Sequence, residues 1–258
     1  MAIDKAVDST ALDSALTDID DAIRAKTGGA DPLTLEQMPS EIESISGGGA
    51  DHSVEDAIIT RSITGTYENN RITVVGKSAF YACQSLEAVN LGACVAILDN
   101  AFFRCAGLKT VNAPLTSIGN SAFFESGLVT IESSHITSLG DACFQSTRNL
   151  VSISLPLVTT IPSSCLRSCV IQSVDLGAAT SIARTAFTDS ASLETLIIRT
   201  ETLCTIADAS VTLRGSKIAA GTGYIYVPDN LVDSYKAATN WVAFANQIKP
   251  ISELEASA

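Results

Sequence analysis

A short motif recurs along this sequence at intervals of 21 or 22 residues, and few folds accommodate such a period. The segment VVGKSAFYACQSLEAVNL, residues 74–91, returns as AILDNAFFRCAGLKTVNA, TSIGNSAFFESGLVTIES and TSLGDACFQSTRNLVSISL, then as TIPSSCLRSCVIQSVDL and SIARTAFTDSASLETLII. The bulky residues Phe80, Phe102, Phe123, Phe144, Leu166 and Phe187 lie 22, 21, 21, 22 and 21 residues apart. A small residue (Ala79, Ala101, Ala122, Cys143, Cys165 or Ala186) precedes each one, and Val89, Val111, Ile131, Ile153, Val174 or Leu196 follows eight or nine residues later. Self-similarity at this period is the mark of a solenoid.

Within each unit the pattern L-x-x-V-x-L, as in Leu86, Val89 and Leu91, sets the Val and the second Leu on one side of a short strand by period-two alternation. The A-F pair packs behind that strand on the return path. A unit this short cannot bury its apolar face alone, so neighbours must stack and share one core. Parallel strands about 4.8 Å apart make six repeats a sheet roughly 25 Å long. The cysteines follow the same register. Cys83, Cys105 and Cys169 share one repeat position and Cys143 and Cys165 another, so buried ladders of thiols are expected. Seven cysteines at spacings that match no disulfide framework read as reduced thiols of a protein made in the cytosol.

The pattern I-G-x-x-A-F-x-x-C-x-x-L-x-x-V-x-L resembles the BspA-type leucine-rich repeat family over about residues 72–206. That resemblance implies an α+β repeat protein: a right-handed parallel β-solenoid of six 21–22-residue repeats, used for binding and not for catalysis. The departures are Leu166 for Phe, Thr147 in the fourth repeat, and Glu125-Ser126 in the third where the cysteine position falls. They are expected to leave the solenoid intact.

The two ends differ in kind. Leu12, Leu16, Ile19 and Ile23 form one amphipathic helical stripe and Leu35, Met38, Ile42 and Ile45 a second, over residues 1–46. Residues 47–53, containing Gly47-Gly48-Gly49, read as a flexible joint. Two such helices bury too little surface to stand alone, so they read as an anchor and oligomerisation segment; the alternative is a cap on the solenoid. The motifs D-A-I-R-x-K-x-G and L-x-x-M-P-x-x-I in this segment resemble the N-terminal parts of phage tail and baseplate proteins. That likeness implies a virion-attached, trimeric structural protein, with tail or baseplate partners held by the helices and a host-facing solenoid. The N-terminus has no Sec-type apolar stretch, which disfavours the alternative, an exported BspA-like adhesin on a bacterial surface. At the far end, residues 207–258 read as a cap, with a last strand at Tyr224–Val227, a helix through about Trp241, and Trp241, Phe244 and Ile248 closing the core. Trp241 is weighed as packing or as a ligand platform, and Gly221-Thr222-Gly223 as the turn into the strand.

Composition narrows the function. The net charge is −12, with thirteen acidic and three basic residues in 1–56 and fifteen and thirteen in the rest. An acidic anchor and a nearly neutral solenoid exclude a phosphate-binding face and long-range steering. No apolar run is long enough to enter a membrane as a helix. The two histidines, His52 and His135, lie in no catalytic motif, and Cys165-x3-Cys169 reads as two repeat slots and not a metal pair. No enzyme, cofactor or metal is expected. Binding falls instead to the outward side of the repeat strands. There Asn90, Thr110, Asn112, Thr130, Glu132, Ser152, Ser154, Ser173, Asp175 and Thr195, with Ala88 and Ile197, form a ladder of small polar groups. It reads either as a merely solvated face or as a weak, many-copy contact with a host cell-surface protein or glycan.

Overall fold

The computed structural model describes residues 61–256. The amphipathic stripes from Leu12 to Ile45 and the joint at 47–53 lie outside the described residues. From residue 61 the chain winds as a leucine-rich repeat β-solenoid of about eight turns. One side carries β1 (Gly65–Glu68), β3 (Leu86–Asn90), β5 (Thr110–Asn112), β7 (Thr130–Ile131), β9 (Ser152–Leu155), β11 (Ser173–Leu176), β13 (Thr195–Ile198), β15 (Tyr224–Val227) and β16 (Ile248–Pro250). A second side carries two-residue strands: β2 (Val74–Val75), β4 (Ala96–Ile97), β6 (Ser117–Ile118), β8 (Ser138–Leu139), β10 (Thr160–Ile161), β12 (Ser181–Ile182) and β14 (Thr205–Ile206). The A-F turns form the third side. Every strand pair is parallel, and each residue meets its counterpart one repeat on, as Val89 meets Val111.

The core columns fall where the repeat places them. Leu86, Val89, Leu91, Phe102 and Cys105 are fully buried. Phe80, Phe102, Phe123 and Phe144 stack face to face, with ring centroids 5.0, 5.4 and 5.6 Å apart. All seven cysteines are buried thiols. Cys143 and Cys165 place their sulfurs 3.3 Å apart, while the Cys105 and Cys169 thiols donate to the Phe80 and Phe144 carbonyls at 2.8 and 3.0 Å. The sequence pattern Cys165-x3-Cys169 is thereby split between two ladders.

The turn side is a ladder as well. Ser78, Phe80 and Ala82 donate their N–H groups to the carbonyls of Asp99, Ala101 and Phe103, and the next turns repeat the scheme. This geometry brackets most turns with two left-handed residues: Ser78 and Ala82, Asn100 and Arg104, Ser121 and Glu125, Ala142 and Ser146, Ser164 and Ser168. None is glycine, so each turn stores strain of about 1–2 kcal/mol per residue, offset by the inter-repeat hydrogen bonds. Side chains extend the ladder: Asp99, Asn120 and Asp141 each accept the N–H of a residue one repeat on, at 2.9, 2.8 and 3.1 Å.

One expectation fails. The first strand side is two sheets, β1-β3-β5-β7 and β9-β11-β13-β15-β16, and the second side breaks at the same level, between β8 and β10. The Glu125-Ser126 departure itself leaves the turn ladder intact, Glu125 N–H donating to the Gln145 carbonyl at 3.0 Å; the break lies in the strand segments that follow. Gly107 and Gly127 let the chain press against the preceding repeat; a Cβ on Gly127 would lie 2.1 Å from the Ala106 carbonyl oxygen. The next residue in this series is Asn149, whose Nδ2 donates to the Gly127 carbonyl at 3.0 Å in place of a backbone approach. Ser133 occupies the column of Leu91 and Leu155, and its hydroxyl donates across the gap to the Ser154 carbonyl. A cleft of about 370 Å³ opens here, lined by Val129–Ile131, Ser133 and Val151–Ser154. Gly127→Ala is expected to destabilise the protein by about 1–3 kcal/mol, since the clash is with backbone; urea unfolding measures it, and an unchanged midpoint would refute the close approach.

The C-terminal cap is α1 (Ala209–Thr212), α2 (Val232–Ala237), a 3-10 turn at Trp241–Phe244 and α3 (Ile251–Glu255). The helix read through Trp241 ends at Ala237, because Ala238 is extended and Asn240 takes a positive φ of 66°. The strand at Tyr224–Val227 is not the last, for β16 pairs outside it. Trp241 is a packing residue: it is 1% exposed, and its indole N–H donates to the Cys204 carbonyl at 2.6 Å. Tyr235 accepts the Cys204 N–H through its hydroxyl at 2.9 Å. Together they clamp the last repeat.

Candidate binding surfaces

The ten polar residues singled out on the outward strand side do face outward, exposed or half-buried. The break between β7 and β9 divides them. Asn90 pairs with Asn112 and Thr110 with Thr130 on the first sheet. On the second, Ser152, Ser173 and Thr195 form one row and Ser154 and Asp175 another. Ile197, next in that second row, is 7% exposed and belongs to the packing.

Much of the ladder is satisfied internally. Asn112 Nδ2 donates to Asn90 Oδ1 at 2.7 Å, and both Asp175 carboxylate oxygens accept from Arg199 Nε at 3.0 Å. Ion pairs Lys109–Glu87 at 2.9 Å and Lys217–Glu194 at 2.6 Å flank the rows; exposed as they are, they fix register more than they add stability.

Glu132 lies past the end of β7. Its carboxylate accepts from Ser134 N at 2.9 Å, and the Ser134 hydroxyl and N–H hold its pKa below the usual carboxylate value. The Ser134 hydroxyl is 3.0 Å from His135 Nδ1. An acid and a serine thus stand beside this histidine. The order is nevertheless wrong for a nucleophilic triad, where the carboxylate must orient the imidazole. Here it holds the serine. Among the described residues, no group of three or more His, Cys, Asp or Glu is placed to hold a metal ion.

Two features escaped the sequence reading. The strand rows continue into the cap, as Thr195 is followed by Tyr224 and Ile197 by Tyr226 and then Lys249. Tyr224 is 37% exposed, and Lys249 Nζ sits 4.4 Å from its ring centroid. The alternation Y-I-Y-V carries this signal, but a strand read only as a closing element hides it. The other is an outer ring ladder on the turn side, Tyr81, Phe103 and Phe124, with centroids 5.0 and 4.7 Å apart and rings within 7° of parallel. Stacked this way the rings spend their faces on one another and offer only edges to a ligand.

Fold and surface together define a leucine-rich repeat solenoid with an outward parallel sheet. The family model for the BspA type leucine rich repeat region matches residues 73–194 in six copies. The match spans just under half of the chain. Among solved structures, a leucine-rich repeat protein from Bacteroides ovatus ATCC 8483 is similar at 18% identity and a TM-score of 0.37, over 65% of this chain and 56% of that one. The pneumococcal vaccine antigen PcpA shares 14% identity over 54% of this chain and 37% of its own, with a TM-score of 0.40. A leucine rich cell surface protein from Faecalibacterium prausnitzii A2-165 shares 15% over 73% and 78%, with a TM-score of 0.26. The chain thus spans little more than half of the Bacteroides protein. No curated protein matches it.

Proposed function

We propose that this protein is a non-enzymatic interaction module of a bacterial cell surface, which holds a partner protein on its outward strand side. The observation that carries this reading is the cluster at the C-terminal end of that side, where Tyr224, Tyr226 and Lys249 continue the polar rows and Arg199 pairs with Asp175 beside them. Tyrosine and arginine are the residues that anchor protein interfaces; the rows of Ser and Thr beside them supply hydrogen bonds and little anchoring. The second reading is the tail or baseplate protein implied by the N-terminal resemblance, a trimer held to a virion through Leu12, Leu16, Ile19, Ile23, Leu35, Met38, Ile42 and Ile45. It rests on residues outside those described here, and nothing on the solenoid favours it.

Labelled full-length protein applied to cultured epithelial cells and to Gram-positive cell envelopes separates the two. Saturable binding to the epithelial cells is expected, weakened about thirtyfold in a Tyr226→Ala variant, as an anchor worth about 2 kcal/mol requires. Binding only to the bacterial envelopes, with a trimeric mass in solution, would transfer the assignment to the tail reading. Equal binding by wild type and variant would remove the tyrosine cluster as the contact.

A further inference from the structure

A second site lies away from the strand side, at the corner where the A-F turns lead into the strands. A notch of about 560 Å³ is lined there by Gln84, Arg104, Glu125, Ser126, Arg148 and Asn149, with only Ala106 and Gly127 as apolar neighbours. Its distinguishing feature is Ser126. The residue is 1% exposed, yet among the described residues its hydroxyl has no hydrogen-bond partner. At the same position in other repeats, Cys105, Cys169 and Ser190 donate to the carbonyl of Phe80, Phe144 and Leu166, and Thr147 donates to Phe144. A buried hydroxyl left unmatched costs about 1–3 kcal/mol, and this one borders the notch.

The other groups are donors held in place. Arg104 is pinned by Glu125 Oε2 at 2.8 Å on its Nε and by the Phe103 ring, 5.3 Å from centroid to Cζ, which leaves its terminal nitrogens without a hydrogen bond among the described residues. Arg148 is exposed and makes no ion pair or side-chain hydrogen bond among the described residues. Asn149 spends its Nδ2 on the Gly127 carbonyl, and its Oδ1 has no partner among the described residues. The lining thus holds two guanidinium groups against one carboxylate, with a hydroxyl and amides spread between them.

We propose that this notch binds a carboxylated sugar unit, its carboxylate on Arg148 and the Arg104 terminal nitrogens and its hydroxyls on Ser126, Asn149 and Gln84. A guanidinium matches a carboxylate in two parallel hydrogen bonds. The volume lies in the range of small-molecule sites and is larger than an inorganic anion fills. A peptide would find no apolar side-chain pocket larger than Ala106. A neutral sugar would find no ring face to stack on, because Phe103 and Phe124 face each other. Charge and hydroxyl recognition are what remain. The site is independent of the tyrosine cluster.

The test is calorimetric or NMR titration of the full-length protein with D-glucuronate and N-acetylneuraminate, with D-glucose, sulfate and a glutamate-rich peptide as further arms. At least one acidic sugar should bind saturably at about millimolar or better, with shifts confined to residues 84, 104, 126, 148 and 149. Arg148→Gln should weaken it about tenfold or more, Arg148→Lys less, and Ser126→Ala by a few fold. Arg148 has no partner to lose, so the thermal midpoint of Arg148→Gln should match wild type and keep folding out of the comparison. Absence of saturable binding by either acidic sugar, equal binding of D-glucose, sulfate or the peptide, or unchanged affinity in Arg148→Gln would each overturn the proposal.

Discussion

Phe123→Ala will cost about 3–5 kcal/mol, a large fraction of the about 5–15 kcal/mol that holds a typical domain folded, and it will split unfolding into two steps. Phe123 is fully buried between Phe102 and Phe144, 5.4 and 5.6 Å away. It sits at the one level, among the described residues, where both strand sides are interrupted. The upper and lower parts of the solenoid are joined there by the turn-side bonds Ser121–Asp141, Phe123–Cys143 and Glu125–Gln145, by the ring stack, and by the Ser133 and Asn149 side-chain bridges. In a repeat array, stability is a sum of units and nearest-neighbour interfaces. Removing a ring from the weakest interface therefore uncouples what lies on either side. Phe102→Ala removes an equal ring inside a continuous sheet and should lower the midpoint with a single transition. Urea unfolding followed by tryptophan fluorescence and far-UV circular dichroism makes the comparison. Trp241 reports only the C-terminal part, so in Phe123→Ala the two signals should separate. Coincident signals with an undiminished m-value would show that the two parts fold as one despite the break.

Stability will also fall steeply in alkali. Burial pushes the Cys105 and Cys204 thiols up to about 12 and Cys169 to about 11, from an ordinary value of 9.0. A hydrogen bond from Cys143 and burial raise Cys165 as well. A thiol whose folded pKa lies above its unfolded one keeps its proton in the folded state after the unfolded chain has released it. The unfolded state then binds fewer protons, so stability declines as pH rises, with the full contribution present below about pH 9 and lost through the folded values near 11 to 12. Each thiol adds a slope of about 1.4 kcal/mol per pH unit, and three together about 4. Tyr235, raised by burial to about 12, adds to the same trend above its ordinary 10.0. Urea midpoints across this range should be flat to about pH 9 and then drop, and Cys105→Ala should shed one thiol's share of the slope. A flat profile to pH 11 would mean that the thiols are not held neutral.

The same burial makes these cysteines poor nucleophiles, because the reactive species is the thiolate. They are packing material in register, as the repeat requires. The near-neutral charge of residues 57–258 leaves the outward side without a long-range field. Binding at either proposed site, the tyrosine cluster or the Arg148 notch, would therefore depend on contact chemistry.

How far the residues alone reach is clearest in the third repeat. Its Phe123, Leu128 and Ile131 keep the period, and a pattern of core positions is a local property that any reader of the string can count. Ser126, Gly127 and Ser133 look like tolerated departures on that count. Their consequence depends on distances between chains a full turn apart: how closely Gly127 approaches Ala106, and how far Asn149 stands from Gly127. The tyrosine rows were hidden for a related reason. The interval from Thr195 to its neighbour Tyr224 exceeds the 21 or 22 residues of the repeat, so the period lapses where the sheet does not. Likewise the left-handed positions at Ala82, Arg104 and Glu125 carry no glycine to announce them.

The sequence by itself determined the solenoid, its buried columns, its thiol ladders, the outward rows and the aromatic plug at the C-terminal end, because each follows from periodic burial. Tertiary structure alone decided where the sheets break, which hydroxyl is left unmatched in the notch, and which side chains extend the outward rows. Those outcomes turn on contacts between non-equivalent residues of neighbouring turns, which no count of periodic positions contains.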